Sequence, residues 1–257
     1  MKIEEIREKE MITDKVWKLP TIVDRFLSYR AAIPLAQEQI GVMLSILRTR
    51  KAPVETFLDL GCGDGILGAA ILGEYPSARG VLVDFSEPML DQARVQLNEY
   101  AGQLNFLNFD YGDPAWINRI QAYGTFDAIV SGYSIHHQPD ERKQSLYREI
   151  FLLLNPGGWF VNIEHVSSAA QTNIALFEDH YISARHAIEK LNGGERSYQQ
   201  IAEEYKNRPD KAANLLSPVD IQCGWLREIG YEEADCYFRI YELAVFAGRK
   251  PNHQSKI

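Results

Sequence analysis

Residues 57–68 read FLDLGCGDGILG, from Phe57 to Gly68, and this stretch decides the fold. The residues from Thr56 to Leu60 are apolar or β-branched except Asp59, the pattern of a buried strand. Gly61, Gly63 and Gly65 alternate after it, and an apolar run from Ile66 to Leu72 has helical character. Strand, glycine turn and helix form the unit that brings a backbone close to a nucleotide-like ligand. Side chains at the glycines would fill the ligand's space or forbid the turn.

The rest of the chain extends that unit. Val81-Leu82-Val83 ends in Asp84, Leu104 to Phe109 ends at Asp110, and Phe126 to Val130 is followed by Ser131 and Gly132. Trp159 to Ile163 ends near Glu164 and His165. Helical patterns separate these runs: Ala69 to Tyr75, a helix opened by Ser86-Glu87-Pro88, Pro114 to Tyr123, and Asp140 to Leu154 stopped by Asn155-Pro156-Gly157-Gly158. Strands alternating with helices predict an α/β fold with a parallel sheet covered on both faces. Residues 166–216 break the rhythm with polar, helical sequence, a long insertion at a strand's carboxyl end. Ser217-Pro218-Val219-Asp220 starts a further capped helix that ends at Gly230. Tyr231 to Arg239 and Tyr241 to Ala247 are too closely linked for a crossover helix and are expected to pair antiparallel. Residues 1–50 read as a helical cap, and 51–257 as the main domain with the insertion 166–216 as a helical lid. The final PNHQSKI reads as a frayed tail.

Composition narrows the function. The 257 residues are 46% hydrophobic and 24% charged, an ordinary globular balance. The net charge of −8 argues against a generic polyanion binder. The three cysteines are odd in number and lack CxxC spacing, so reduced thiols are expected and a metal cluster is not. The charged start, MKIEEIREKE, is unlike a signal peptide, and no apolar run approaches the length of a membrane span. A cytosolic location follows from these features.

The motifs resemble the class I S-adenosylmethionine (SAM) methyltransferases. The likeness rests on Asp59 to Gly65, Asp84, Asp110, Phe126-Asp127-Ala128-Ile129 and Leu154 to Gly158, in order. It implies a Rossmann-like seven-stranded sheet, mostly parallel with a C-terminal antiparallel hairpin, and SAM as cofactor. A dinucleotide fold competes, because Gly63 to Gly68 matches GxGxxG and Asp84 follows at about the 20-residue spacing of a ribose-binding acid. That motif would start several residues past the strand end, and Asp59 would place a carboxylate beside a pyrophosphate.

Under the resemblance, Gly61, Cys62 and Gly63 approach the methionine part of SAM, and Asp59 favours its cationic region. Asp84 accepts from the ribose hydroxyls, Phe85 packs near the adenine, and Asp110 with the Tyr111 backbone meets the adenine amino group. Ser131 borders the sulfonium. Met89 has the spacing of helix core and also falls beside the cofactor positions. His136 and His137 are the candidate bases, with loop hydrogen bonding as their alternative role. Glu164 and His165 would line the same cleft as structural or substrate-positioning groups.

The layout of residues 16–249 is also similar to the carboxy-SAM synthases, which act in tRNA wobble-uridine modification with prephenate as carboxyl donor. The shared points are Arg30 in the N-terminal helices, the insertion, and Arg208 ahead of Ser217. Two roles are open to Arg208, a clamp on a substrate carboxylate or a surface arginine of the lid. The sequence departs from that family at Gly63, where the synthases carry serine, and at Ile135-His136-His137. Methyl transfer to a small molecule is therefore the leading expectation. Carboxy-SAM synthesis and SAM binding without turnover are the alternatives. A homodimer is compatible with all three. Binding of tRNA has a hint only in Arg185, Lys190, Arg196, Lys206 and Arg208, whose charge neighbouring acids largely cancel.

Overall fold

The computed structural model describes residues 14–252. The first 13 residues of the expected helical cap and the end of the PNHQSKI tail lie outside the described residues. The elements are α1 (Pro20–Tyr29), α2 (Ala36–Arg48), β1 (Thr56–Leu60), α3 (Ile66–Glu74), β2 (Arg79–Asp84), α4 (Glu87–Gln96) and β3 (Leu104–Asn108). They continue as α5 (Trp116–Ile120), β4 (Phe126–Gly132), α6 (Asp140–Leu153), β5 (Leu154–His165), α7 (Gln171–Leu191) and α8 (Tyr198–Lys206). The chain closes with α9 (Val219–Ile229), β6 (Glu232–Ile240) and β7 (Leu243–Arg249).

The seven strands form one sheet in the order β3-β2-β1-β4-β5-β7-β6. β1 pairs parallel with both β2 and β4, and β7 runs antiparallel to both β5 and β6. The chain thus reverses its direction of progress across the sheet at β1 and β4. The crevice beyond their carboxyl ends is where such sheets bind ligands.

Strand alternation divides the core into two layers. Leu58, Leu60, Val81, Val83 and Phe160 pack toward Tyr147 and Ile150 of α6 and Leu226 of α9. Phe57, Leu82, Val130 and Val161 pack toward Met43 and Leu47 of α2 and Ile71 and Leu72 of α3. Burying each such side chain contributes about 1.5–3 kcal/mol. The sheet edge that carries the glycine turn is therefore anchored on both sides.

Two details differ from the sequence reading. β5 begins at Leu154, so the Asn-Pro-Gly-Gly stop belongs to the strand. Proline ends the helix but suits extended backbone. Gly157 N donates to Lys250 O at 2.9 Å, which ties the segment to the end of β7. Ser217 does not cap α9. Pro218 occupies that position, and the Ser217 hydroxyl donates to Asp140 and accepts from the buried Lys143 instead. The insertion contains α7 and α8, which share a small core of Ile182, Ile201 and Tyr205. Its two ends are fastened where Val166 N donates to Glu242 O and Leu215 N donates to His136 O.

Candidate active site

The glycine turn closes directly on the end of β1. Gly61 N and Cys62 N both donate to Val83 O, at 2.8 and 2.9 Å. Gly61 has φ +68°, and a Cβ there would lie 1.9 Å from Ser134 Oγ. Gly63 has φ +54°, but the nearest atom to its Cβ position is Met89 Sδ at 3.9 Å, so its open side faces free space. One glycine is thus required by the protein's own packing, and the other leaves room for something else.

Two buried carboxylates flank the turn. Asp59 Oδ2 accepts from Gly68 N at 3.0 Å, while Oδ1 is buried with no partner. Burial pushes its pKa up to about 7 against the pull of the Gly68 bond, with Asp84 and Asp64 adding to the rise. Asp84 accepts from Gly63 N at 2.9 Å and Ser86 N at 2.8 Å, and burial lifts its pKa to about 6. Ser86 also accepts from Met89 N, capping α4, and donates to Trp17 O at 2.6 Å. That bond brings the N-terminal segment onto the same edge.

Two clefts meet at Gly61, Gly63, Gly132 and Tyr133. One, of about 530 Å3, is lined by Asp59, Cys62, Asp64 and Arg30. Arg30 is ion-paired with Asp64. The other, of about 180 Å3, has Asp84, Phe85 and Met89 at one end and His136, His137 and His165 at the other. Trp17, Phe26, Phe177, Tyr181 and Tyr205 roof it. No lysine or arginine is among its described lining residues.

The histidines are held by fixed acceptors. Glu164 Oε1 lies 2.6 Å from His136 Nδ1, and Oε2 accepts from His136 N at 3.0 Å. His137 Nδ1 lies 3.1 Å from Ala213 O. A carbonyl can only accept, so His137 carries its proton on Nδ1 and leaves Nε2 as a lone pair. Glu164 imposes the same tautomer on His136 when ionised. Burial holds both rings neutral, pushing His137 down to about 3 and His136 well below the usual histidine range. Burial raises Glu164 to about 7, opposed by its bond from His165 N. His165 Nε2 is buried without a hydrogen bond, 3.8 Å from Glu242 Oε2.

Other expected residues lie elsewhere. Ser131 is interior, its hydroxyl donating to Leu60 O at 2.7 Å, and Gly132, Tyr133 and Ser134 take the cleft wall. Asp110 is exposed and accepts from Gly112 N at 2.6 Å. The Tyr111 carbonyl accepts from Arg142, and the Tyr111 hydroxyl meets Ser134 Oγ at 2.6 Å. Arg208 is outside the cleft wall, donating to Tyr205 O at 2.8 Å and Asp210 at 3.2 Å. The sequence reading missed the aromatic roof and Tyr133, whose hydroxyl donates to Gln39 at 2.7 Å. The aromatic residues scattered through residues 17–29 and 177–205 were the available signal.

Residues 57–158 match the family model described as a methyltransferase domain. Residues 57–158 are thus a methyltransferase domain. The chain is 32% identical over 111 residues to a biotin biosynthesis bifunctional protein of Teredinibacter turnerae, covering 41% of this chain and 19% of that one. A carboxy-S-adenosyl-L-methionine synthase of Shewanella amazonensis is 25% identical over 222 residues, 84% of each chain. The methyltransferase fold also aligns with an O-methyltransferase family protein from Burkholderia thailandensis, with TM-score 0.63, 17% identity, and coverage of 90% of this chain and 60% of that one. The chain thus spans about a fifth of the first relative and three fifths of the solved chain. No described helix is long and apolar enough to cross a membrane.

Proposed function

We propose that the chain is an enzyme that transfers the SAM methyl group to a hydroxyl-bearing aromatic small molecule whose accepting end is uncharged, with His136 as general base. The observation that carries this reading is the His136–Glu164 pair at the wall of an aromatic cleft with no lysine or arginine among its described lining residues. SAM supplies a methyl group already activated by its sulfonium. The unpartnered Asp59 Oδ1 suits the ammonium of SAM, and the open side of Gly63 suits a ligand pressed against backbone. Arg30, beside Asp64, is placed for the cofactor carboxylate. Asp84 keeps lone pairs for the ribose, with Phe85 and Met89 as the apolar wall for the adenine. Cys62 lines the methionine end as a buried thiol.

The acceptor hydroxyl must lose a proton as the methyl arrives. Glu164 holds Nδ1–H of His136, which leaves Nε2 to take that proton. His137 and His165 position the acceptor. Trp17, Phe26 and Phe177 exclude water, so that placement provides most of the rate. The same reading has a cytosolic protein that works as a monomer or homodimer, with residues 166–216 as its lid.

The test is direct. S-adenosylhomocysteine at a hundred times its Kd should stabilise the chain by about 2.7 kcal/mol. A shift with NAD but none with S-adenosylhomocysteine would sink the reading. A second reading, carboxy-SAM synthesis, is supported by the relatives that align along most of the chain. Incubation with SAM and prephenate followed by mass measurement separates the two, because only that chemistry adds a carboxyl group to the cofactor.

A further inference from the structure

Behind the aromatic roof lies a second, smaller chamber of about 60 Å3. It shares Trp17, Phe26, Tyr181, Tyr205 and the acid Asp210 with the cleft, and its far side is formed by Arg25, Arg185 and Arg208. The ion pairs here do not balance. Arg25, Arg185 and Arg196 converge on Glu204, at 3.5, 3.0 and 2.6 Å. Arg25 and Arg208 share Asp210, at 3.8 and 3.2 Å, and Arg196 also takes Glu189. Four guanidinium groups thus meet three carboxylates, which leaves one positive charge in excess.

Within this cluster Arg185 is the member most sequestered from water. Arg185 is 5% exposed, its guanidinium lies 4.1 Å from the Tyr29 ring centre, and its Nε–H is buried without an acceptor. Trp17 Nε1, on the wall between chamber and cleft, is a second buried donor without a partner. Burying charge and donors in this way is costly unless something offsets them. A carboxylate has the charge and the paired acceptors that a guanidinium matches.

We propose that this chamber is an anion subsite, which takes the carboxylate of an acceptor whose hydroxylated ring lies in the cleft. The proposal rests on the methyltransferase reading and names its substrate class as hydroxyaromatic acids. The accepting end stays neutral beside the histidines, and the charge lies on the far side of Trp17 and Tyr205.

The test titrates the full chain with 4-hydroxybenzoate and 3-(4-hydroxyphenyl)propanoate, each against its neutral amide, with S-adenosylhomocysteine present. One acid should bind at least about tenfold tighter than its amide. Arg185→Gln should abolish that preference and leave S-adenosylhomocysteine affinity unchanged. Arg25→Gln, at a partly exposed side chain, should reduce the preference about threefold and keeps the test open if Arg185→Gln does not fold. Arg227→Gln, far from the chamber, should change nothing. Equal binding of acid and amide, no saturable binding of either acid up to about 10 mM, or a preference that survives both variants overturns the proposal. If S-adenosylhomocysteine fails to bind while the acid preference holds, the methyltransferase reading falls and the chamber stands.

Discussion

Asp59→Asn separates the charge of this carboxylate from its place in the glycine turn. The wild-type group has a pKa near 7 because burial outweighs its single bond from Gly68 N. In the proposed complex the cofactor ammonium meets Oδ1 and returns the carboxyl to the ordinary range near 3.8. Between those values the ligand-free protein binds more protons than the complex, so S-adenosylhomocysteine affinity is full above about pH 7 and falls with acidity. The slope is about tenfold per pH unit, which makes affinity at pH 5.5 roughly 30-fold weaker than at pH 8. Asp84, with its pKa near 6, adds a second decline one unit lower.

Calorimetry reads this linkage twice, as Kd against pH and as proton release. At pH 7 binding should release roughly half a proton, seen as a heat that varies with the buffer's ionisation enthalpy. Asn at 59 should weaken binding about 10- to 100-fold at pH 8, the worth of a charged hydrogen bond of about 1.5–3 kcal/mol. It should also erase the decline near pH 7 and leave the one near pH 6. The stability of the ligand-free chain has the opposite sign. The folded pKa of Asp59 lies above its unfolded value, so its contribution is full below about pH 4 and is lost as pH rises through 7. Affinity that is flat from pH 5.5 to 8, or a pH 7 decline that survives in Asp59→Asn, refutes the reasoning.

Gly61→Ala should destabilise the fold by about 1–3 kcal/mol in chemical denaturation, because the new methyl group meets Ser134 Oγ in a left-handed backbone. Gly63→Ala has no such neighbour and should cost more in S-adenosylhomocysteine Kd than in Tm. Glu164→Gln should lower kcat by about 10²–10⁴ and remove the acid limb near pH 7 from the rate profile, since protonating Glu164 costs His136 its Nε2 lone pair. Lys143→Met should destabilise by about 1–3 kcal/mol, because Leu215 O and Ser217 Oγ lose a buried donor at the end of the insertion. Faster proteolysis within residues 166–216 would accompany that loss.

The sheet was legible in the sequence because its signals are local. β1 carries its alternation, its acid and its glycines within a dozen residues, and the hairpin of β6 and β7 follows from the short link between them. The site was less legible, because strand phase decides which side chain faces the cleft. Continued pairing of Ser131 with Asn162 and Gly132 with Ile163 carries β4 further, turns Ser131 inward and hands the wall to Tyr133 and Ser134. Arg208 finds its partner two residues away at Asp210, a pairing that composition alone does not separate from a free guanidinium. The roof assembles Trp17, Phe177 and Tyr205 from distant segments, and only the docked insertion brings them together.

The three buried acids at this sheet edge share a feature that bears on cofactor choice. Asp59 is met by Gly68 N, Asp84 by Gly63 N and Ser86 N, and Glu164 by His136 N and His165 N. Each is offset by backbone dipoles and none is ion-paired with a described lysine or arginine, and each is raised to about 6 or 7 by burial. Backbone donors make ionisation tolerable without cancelling the charge, so the crevice keeps a negative potential that strengthens as these groups ionise. A pyrophosphate entering there would meet repulsion from Asp59 and Asp84 and would find the Gly63 N–H already bonded. A cofactor bearing an ammonium and a sulfonium meets the reverse. The GxGxxG spacing that made the turn ambiguous is thereby resolved by the acids around it, whose charge the cationic cofactor completes.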